Sequence, residues 1–308
     1  TVVAAAGCRH ELKTSLSNPA ASGHLDITET DPRLKLSKLD TPFMCLVVSE
    51  PTVKGCLKVI DRFEPIADSF EINLPQLDST LIGDVFHSTP RPCIAAFRRS
   101  DFMRGFGYPR LPRLSDESRA EAMKRAVGLG ASAADFELDM FQAEPPAGAR
   151  RGAGEGRGRV RQGGTAPEFS TDRDAVRLQS DLASEIREAG AEVVMSLHTR
   201  RVLREADALE IVHAVAGRGG QFARLVSRTP RKEDVFELLA CAFALNRKSL
   251  IPFTLMNVGP GSASQRLLSV LAGSSWVYCR PPGRHSYSGQ PTFEETRSFL
   301  ESLALRDL

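Results

Sequence analysis

Val193-Val194-Met195-Ser196-Leu197, then Leu203 to Val215, then Phe222-Ala223-Arg224-Leu225-Val226 form the stretch that decides the fold. The first and last pieces are short, nearly continuous apolar runs, as expected for strands that are buried on both faces. The middle piece is interpreted as a helix. A strand, a helix and a second strand in this order predict parallel strands joined by a helical connection.

The same unit recurs along most of the chain. Strands are predicted at 43–48, 69–74, 93–97, 136–138, 193–197, 222–226, 250–255 and 276–278. Helices are predicted at 53–63, 81–86, 117–127, 171–188, 203–215, 230–245, 264–271 and 293–303. Ser115 is expected to cap the third helix, and Thr229-Pro230 to open the sixth. Eight such units predict an α/β fold, a (β/α)8 TIM barrel. A doubly wound sheet is the alternative, but no glycine-rich phosphate fingerprint follows the first strand.

Composition narrows the range of functions. The chain has 308 residues with a net charge of +2, so neither nucleic acid nor membrane binding has a strong electrostatic basis. No apolar run approaches the ~20 residues of a membrane span. The six cysteines show no CxxC pair, which favours reduced thiols in an intracellular protein, nuclear or cytoplasmic. The histidines lack metal-type spacing, so no metal or other cofactor is predicted.

Two segments fall outside the repeating units. Residues 1–40 are polar and aperiodic and are interpreted as a linker or the tail of a preceding domain, with the barrel over 41–308. Residues 144–169 are rich in glycine and arginine and are interpreted as a disordered, flexible insertion between the fourth and fifth units. A basic tract that contacts nucleic acid is the less favoured interpretation of this insertion.

Arg224 is the unusual residue of the predicted sixth strand. An uncompensated cation in a core is costly, so its side chain should face a partner, an anion or a watery cavity. Pairing with Glu71 or Glu137 is one possibility. The alternative is a sheet-edge arginine whose guanidinium lies in solvent.

Further polar residues gather near the predicted strand ends, which form the active face of a TIM barrel. They are Glu71, Arg98, Arg99, Glu137, His198, Arg266 and the segment Ser286-Tyr287-Ser288-Gly289-Gln290. Several cations with few carboxylates suit a small anionic ligand that carries hydroxyl groups. Taken one at a time, each of these residues is equally well explained as a solvated loop residue.

Five of these segments carry a family resemblance. They are Phe70-Glu71, Phe97-Arg98, Val194-Met195-Ser196-Leu197-His198, Ser264-Gln265-Arg266 and Ser286-Tyr287-Ser288-Gly289-Gln290. In order and spacing they resemble the motifs of type I 3-dehydroquinate dehydratase, a (β/α)8 barrel that converts 3-dehydroquinate to 3-dehydroshikimate. The resemblance runs from about Phe43 to Leu303.

The resemblance implies a strand-six lysine that forms a Schiff base with the substrate ketone, and a histidine that acts as general acid and base. Here His198 matches the histidine, whereas Arg224 stands at the lysine position. A guanidinium stays protonated and does not form an imine, so these two residues are expected to be vestigial as catalysts. Thr199 and Asn73 also depart from the family pattern, which has an acidic residue and an arginine at these positions. The resemblance further implies ligand binding by Glu71, Arg98, His198, Arg266, Ser286 and Gln290.

This combination resembles the fungal repressors of quinate utilisation, which contain a dehydroquinase-like domain. That resemblance implies a non-catalytic domain that senses 3-dehydroquinate, 3-dehydroshikimate or quinate. It also implies flanking kinase-like and shikimate-dehydrogenase-like domains, and action through a transcriptional activator protein without direct contact to nucleic acid. Two alternatives stay open: an active dehydratase that uses His198 without an imine, and an interaction scaffold whose pocket is vestigial.

Overall fold

The computed structural model describes residues 34–99, 114–142, 169–283 and 289–303. Its eight strands are β1 Phe43–Val48, β2 Ser69–Asn73, β3 Cys93–Ala96, β4 Ala133–Glu137, β5 Glu192–Thr199, β6 Phe222–Arg228, β7 Phe253–Val258 and β8 Trp276–Cys279. The helices that alternate with them are α1 Val53–Phe63, α2 Ile82–His87, α3 Asp116–Gly128, α4 Arg173–Glu188, α5 Glu205–Gly217, α6 Asp234–Lys248, α7 Ser262–Leu271 and α8 Phe293–Ser302. The predicted (β/α)8 barrel is confirmed.

All strands pair in parallel, in the order β7-β6-β5-β4-β3-β2-β1-β8. Two hydrogen bonds join the ends of this sheet: Ser275 N donates to Phe253 O at 2.8 Å, and Thr254 Oγ1 donates to Trp276 O at 2.9 Å. The sheet therefore closes on itself, so the carboxyl ends of all the strands meet at one mouth.

The two faces of each strand pack differently, because side chains alternate along a strand. One set packs against the helices and forms the larger core. The other set fills the barrel interior: Leu36, Phe43, Cys45, Val47, Ile94, Ala133, Val194, Phe222, Val226, Met256, Trp276 and Tyr278. Toward the amino-terminal end of the barrel, Phe43 stacks on Trp276 with ring centroids 5.7 Å apart, and Phe222 meets the same indole edge-on at 6.0 Å.

The segment before β1 belongs to this interior packing. Residues Leu36–Lys38 form a 3₁₀ turn, and Leu36 is 2% exposed within the inner cluster. Glu192 at the start of β5 holds the turn, because its Oε2 accepts a hydrogen bond from Leu36 N at 2.6 Å. Leu36 thus packs inside the barrel although it precedes residue 41, the expected start of the domain. The earlier part of the expected linker, residues 1–33, lies outside the described residues. The expected insertion lies outside them at residues 143–168.

Several predicted boundaries differ from the structure. Ser115 caps α3 as expected, with its Oγ accepting from Ser118 N at 3.2 Å. The prediction that Thr229-Pro230 opens the sixth helix is wrong: α6 begins at Asp234. Thr229 is instead buried and accepts a hydrogen bond from Asn257 Nδ2 at 2.6 Å. The seventh strand begins at Phe253 instead of Leu250, whose side chain is 81% exposed.

No helix within the described ranges combines the length and the apolar character needed to cross a bilayer.

Replacement of Leu36 by alanine should lower the free energy of unfolding by about 2 to 5 kcal/mol, because it opens a cavity beneath the aromatic floor of the barrel. Urea denaturation followed by circular dichroism measures this change. Leu34→Ala, two residues away and 40% exposed, is the matched control and should change stability by less than about 0.5 kcal/mol. Equal effects of the two substitutions would contradict the assignment of Leu36 to the barrel core.

Candidate functional site

Arg224 lies in the middle of β6 and points into the barrel. It shares the inward face of the strand with Phe222 and Val226, and its register partners are Ser196 on β5 and Thr254 on β7. The residue is 6% exposed, so the guanidinium is buried and the alternative of a solvated sheet-edge arginine is wrong.

Two carboxylates compensate two arginines inside the barrel. Arg224 Nη1 donates to Glu71 Oε2 at 2.5 Å and to Asp135 Oδ2 at 3.0 Å. Arg98 Nη1 donates to Asp135 Oδ1 at 2.9 Å and to Ser196 Oγ at 2.9 Å. The second amino group of Arg98 also bonds Asp135, and it reaches Glu71 Oε2 at 3.4 Å. We call these four charged residues the inner ion network. Their charges sum to zero, which makes burial of two guanidinium groups tolerable.

The ring of Tyr278 covers one face of the Arg224 guanidinium. The central guanidinium carbon lies 4.1 Å from the ring centroid, the geometry of a cation–π contact. Burial raises the pKa of the Tyr278 phenol well above its usual value, so the ring contacts Arg224 in its neutral form. Arg224 is therefore held from two directions, by carboxylates at its edge and by an aromatic ring on its face.

Electrostatics fixes the protonation states of the inner ion network. Burial alone would raise the pKa of Asp135, but the adjacent guanidinium of Arg98, and then that of Arg224, outweigh it and hold the pKa below its usual range. Burial acts in the opposite sense on Arg224, yet Glu71 and other neighbours leave its pKa raised. Asp135 is thus a carboxylate and Arg224 a cation at neutral pH.

His198 lies at the carboxyl end of β5, on the same inward-facing alternation as Ser196 but closer to the mouth. Burial, followed by the positive charges of Arg98 and Arg224, lowers its pKa well below the usual histidine value. The imidazole is therefore neutral at neutral pH. Thr199, the next residue, faces away and accepts a hydrogen bond from Arg201 N at 3.0 Å through its hydroxyl.

Two further candidate binding residues lie on the other side of the mouth. Arg266, in α7, donates from Nε and Nη2 to Asn257 O at 3.3 and 3.1 Å. Gln290 donates from Nε2 to Cys279 O at 2.9 Å, at the end of β8. Both are at least nine-tenths buried. Ser286 lies outside the described residues.

Glu137 is not a partner of Arg224, and that possibility is wrong. Glu137 is the last residue of β4, on the inward-facing side of the strand. Its carboxylate accepts a hydrogen bond from Arg119 of α3. Arg119 also donates to Phe97 O, from Nε at 3.1 Å and from Nη2 at 3.0 Å. Arg99 likewise turns to the rim, where its Nη1 lies 2.6 Å from Asp139 Oδ2. The structure thus gathers Glu71, Arg98 and Arg224 in the barrel and leaves Glu137 and Arg99 in separate ion pairs.

Sequence reasoning missed Asp135, Ser196, Tyr278 and Arg119. Asp135 could have been found, because it is a single charge within the apolar run Ala133-Ala134-Asp135-Phe136, the same signal that identified Arg224. No comparable signal marks Arg119, which lies in a helix among other charged residues.

Comparisons with known proteins agree with this architecture. Residues 166–307, somewhat less than half of the chain, match the family model described as Type I 3-dehydroquinase. No curated protein sequence matches the chain.

Solved structures share the fold at low sequence identity. A type I 3-dehydroquinate dehydratase from Clostridium difficile, with covalent modified comenic acid, is 14% identical with a TM-score of 0.65, over 86% of this chain and 93% of that one. The 3-dehydroquinate dehydratase of Geobacillus kaustophilus is 17% identical with a TM-score of 0.65, over 87% and 93%. The dehydroquinate dehydratase and shikimate dehydrogenase of S. pombe AroM is 16% identical with a TM-score of 0.61, over 87% of this chain and 46% of that chain.

Replacement of Arg224 by methionine should lower the free energy of unfolding by about 3 to 5 kcal/mol, because the two buried carboxylates then share only Arg98. Urea denaturation at neutral pH measures the change. Arg228→Met is the matched control, since Arg228 ends the same strand and is exposed, and it should change stability by less than about 0.5 kcal/mol. A tolerated Arg224→Met would show that the inner ion network does not stabilise the barrel.

Acid should destabilise the protein through His198. Its pKa is lower in the folded than in the unfolded state, where it is about 6.5, so the unfolded chain takes up the proton first. The contribution of His198 to stability is therefore complete above about pH 6.5 and is lost as the pH falls toward the folded-state value. His198→Gln should flatten the dependence of unfolding free energy on pH between about 7 and 5. His213→Gln, on the exposed side of α5, is the control and should keep the wild-type dependence of unfolding free energy on pH. If His198→Gln also keeps that dependence, the pKa of His198 is not lowered in the folded state.

Proposed function

We propose that this chain is a type I dehydroquinase-like barrel throughout the residues that the structure describes, and that it binds a quinate-pathway ring acid without forming an imine. The observation that carries the proposal is the position of Arg224, whose guanidinium is fixed between Glu71 and Asp135 in the middle of β6. The family match to residues 166–307 supports a dehydroquinase-like barrel. Because β6 lies within those residues, the match also supports the alignment of Arg224 with the lysine that forms the imine in that family.

The chemistry of the two possible residues at this position differs. A buried lysine is readily tuned to the neutral amine that attacks a ketone, whereas a guanidinium stays protonated and its lone pairs are delocalised. No lysine lies on β6. Lys232 is exposed in the loop after it, and Lys248 is exposed at the end of α6, where its Nζ lies 2.6 Å from Glu205 Oε1. Neither replaces an amine inside the barrel.

The mouth retains groups that suit an anionic, hydroxyl-bearing ligand. Arg266, Gln290 and the neutral imidazole of His198 offer a charge, an amide and a hydrogen-bonding ring around the opening, with Ser286 proposed as a fourth group. Exposed Arg200 follows β5 and exposed Arg228 ends β6, and both add positive potential at the same rim. A carboxylate ligand is therefore the best electrostatic match.

The inner ion network limits how deep such a ligand enters. Glu71 and Arg98 belong to the proposed binding set, yet both already bond within the network. Glu71 Oε1 has no hydrogen-bond partner among the described residues, but it is fully buried, so the network as it stands closes this oxygen to a ligand. We propose that the ring lies above Arg224, on the mouth side of the network, and is held at its carboxylate by Arg266.

For the biological role, we propose a sensor domain in a repressor of quinate utilisation. Such a protein would carry neighbouring kinase-like and shikimate-dehydrogenase-like domains, would act on a transcriptional activator, and would reside in the nucleus or cytoplasm. The S. pombe structure, which joins a dehydroquinate dehydratase to a shikimate dehydrogenase, supports the proposed neighbourhood. Binding without turnover is what a sensor requires.

One observation favours a second candidate, a dehydratase that works without an imine. The neutral His198 at the mouth has the protonation state that a general base needs at neutral pH. A third candidate, a scaffold with a closed pocket, follows if Arg224 excludes ligands altogether. Direct binding and turnover measurements separate the three.

Calorimetry with 3-dehydroquinate, 3-dehydroshikimate and quinate should show binding of at least one of them, with no enone product detected by ultraviolet absorbance. Arg266→Gln should weaken binding at least about tenfold, because a charge-assisted hydrogen bond to the carboxylate is lost. Arg62→Gln, on the exposed face of α1, is the control and should leave affinity unchanged. Borohydride treatment with 3-dehydroquinate should give no covalent adduct by mass spectrometry.

The outcomes discriminate between the candidates. If enone product forms, and if His198→Ala abolishes its formation, the protein is a dehydratase and the sensor proposal is wrong. If none of the three ring acids binds at millimolar concentration, the sensor proposal is wrong and the interaction scaffold is the candidate that stands.

A further inference from the structure

Two exposed arginines lie side by side where β5 and β6 reach the mouth of the barrel. Thr199 and Ser227 are the last register partners of these strands, and Arg200 and Arg228 are the next residues along the two chain segments. Neighbouring strands are only about 5 Å apart, so the two side chains start from adjacent points of the rim. We call Arg200 and Arg228 the rim arginine pair.

Buried hydroxyl groups fix the segment on which Arg200 lies. Thr199 Oγ1 accepts a hydrogen bond from Arg201 N at 3.0 Å, directly after β5. Ser227 Oγ donates to Arg201 O at 2.8 Å and accepts from Leu203 N at 3.2 Å, so this segment is tied to the end of β6. Ser227 and Thr199 are both buried. The backbone of the rim arginine pair is therefore held in place, although the two side chains are exposed.

The charges of the rim arginine pair are not compensated within the part of the chain that the structure describes. Neither arginine forms an ion pair with a residue of that part. The first acidic residues after the two strands each lie near another cation: Glu205 near Lys248, and Asp234 and Glu233 near Arg231. Like charges at adjacent strand positions repel each other, and an anion that bridges them relieves this repulsion. The pair is thus suited to a ligand group with more than one negative charge.

The deeper charges of the barrel do not compete for this anion. Arg228 shares the inward alternation of β6 with Val226 and Arg224, so it lies at the mouth end of that row. Arg224, further inside, is already paired with Glu71 and Asp135. An anion that enters the mouth therefore meets the rim arginine pair before it meets the inner ion network, whose charges sum to zero.

A phosphate monoester fits this pair better than a carboxylate does. It carries about 1.5 to 2 negative charges at neutral pH and offers three acceptor oxygens, whereas a carboxylate carries one charge. The planar fork of a guanidinium group matches two oxygens of a phosphate, so two arginines can hold one phosphate from two sides.

We propose that the rim arginine pair is a subsite for a phosphate monoester, and that the ligand of the mouth is a hydroxylated ring acid that carries a phosphate as well as a carboxylate. Arg266 and Gln290, on the other side of the mouth, bind the carboxylate, and this part of the inference rests on the proposed function. The phosphate lies over the ends of β5 and β6. The ring lies between the two anionic groups, on the mouth side of the inner ion network.

Calorimetry with a matched pair of probes, shikimate and shikimate 3-phosphate, tests the subsite at neutral pH and fixed ionic strength. The full chain should bind the phosphorylated acid at least about tenfold more tightly, because charge-assisted contacts with two arginines are added. The double variant Arg200→Gln/Arg228→Gln should bind the two acids with nearly equal affinity. Equal affinities of the wild type for the two acids would overturn the proposal.

A second double variant separates the rim arginine pair from the general positive potential of the rim. Arg204→Gln/Lys232→Gln removes the same charge from exposed positions on the same two segments, and it should keep most of the preference for the phosphorylated acid. If it loses that preference as completely as Arg200→Gln/Arg228→Gln does, the preference comes from diffuse potential and the subsite is wrong. Urea denaturation checks that both double variants stay folded.

Inorganic phosphate distinguishes a failure of this inference from a failure of the proposed function. It should bind the wild type at least about tenfold more tightly than Arg200→Gln/Arg228→Gln, whether or not a ring acid binds. If phosphate binds in this way but no ring acid does, the subsite stands and the proposed ring-acid ligand is wrong. If ring acids bind but a phosphate group adds no affinity, the ring-acid proposal stands and the subsite is wrong.

Discussion

The pairing of Arg224 and Arg98 with Glu71 and Asp135 is the interaction on which the barrel interior depends. Each residue comes from a different part of the sheet: Glu71 from β2, Arg98 from just after β3, Asp135 from β4 and Arg224 from β6. The four charges compensate one another only if all these strands keep their register, since a shift of one residue would turn a side chain to the helix layer. The network therefore specifies strand register at some cost in desolvation. The apolar residues of the barrel interior, among them Phe43, Phe222 and Trp276, contribute the favourable burial of apolar surface.

The sequence predicted the strands better than their ends, and the reason is physical. Continuous apolar runs reveal strands that are buried on both faces, which is why β1, β5 and β6 were located closely. The sequence missed the first residues of β4, which begins at Ala133, because alanine carries little strand preference. Leu250 is apolar yet exposed, so a prediction based on hydrophobicity placed the start of the seventh strand three residues too early.

Site residues were predictable from the sequence where a single charged residue stands in an otherwise apolar strand. A lone charge in a strand predicted that Arg224 faces inward, and Glu71 was correctly among its expected partners. Glu137 was not its partner, because Arg119 reaches the rim from α3 and takes its carboxylate. That competition depends on how a helix packs outside the barrel, which strand patterns do not encode. Tyr278 was missed for a similar reason, since an aromatic residue in a buried strand is usually core.

Compensation inside the barrel shifts the attraction for an anion to the rim. Two cations and two carboxylates at the same depth cancel, so the field felt by an approaching carboxylate comes from groups nearer the mouth, including Arg266 and the exposed Arg200 and Arg228. An amine in place of Arg224 would be a shorter side chain with fewer donors, and could not reproduce its contacts with both carboxylates. Arg224 is therefore a structural residue of the barrel interior, and the positive potential that an anion would meet lies at the rim.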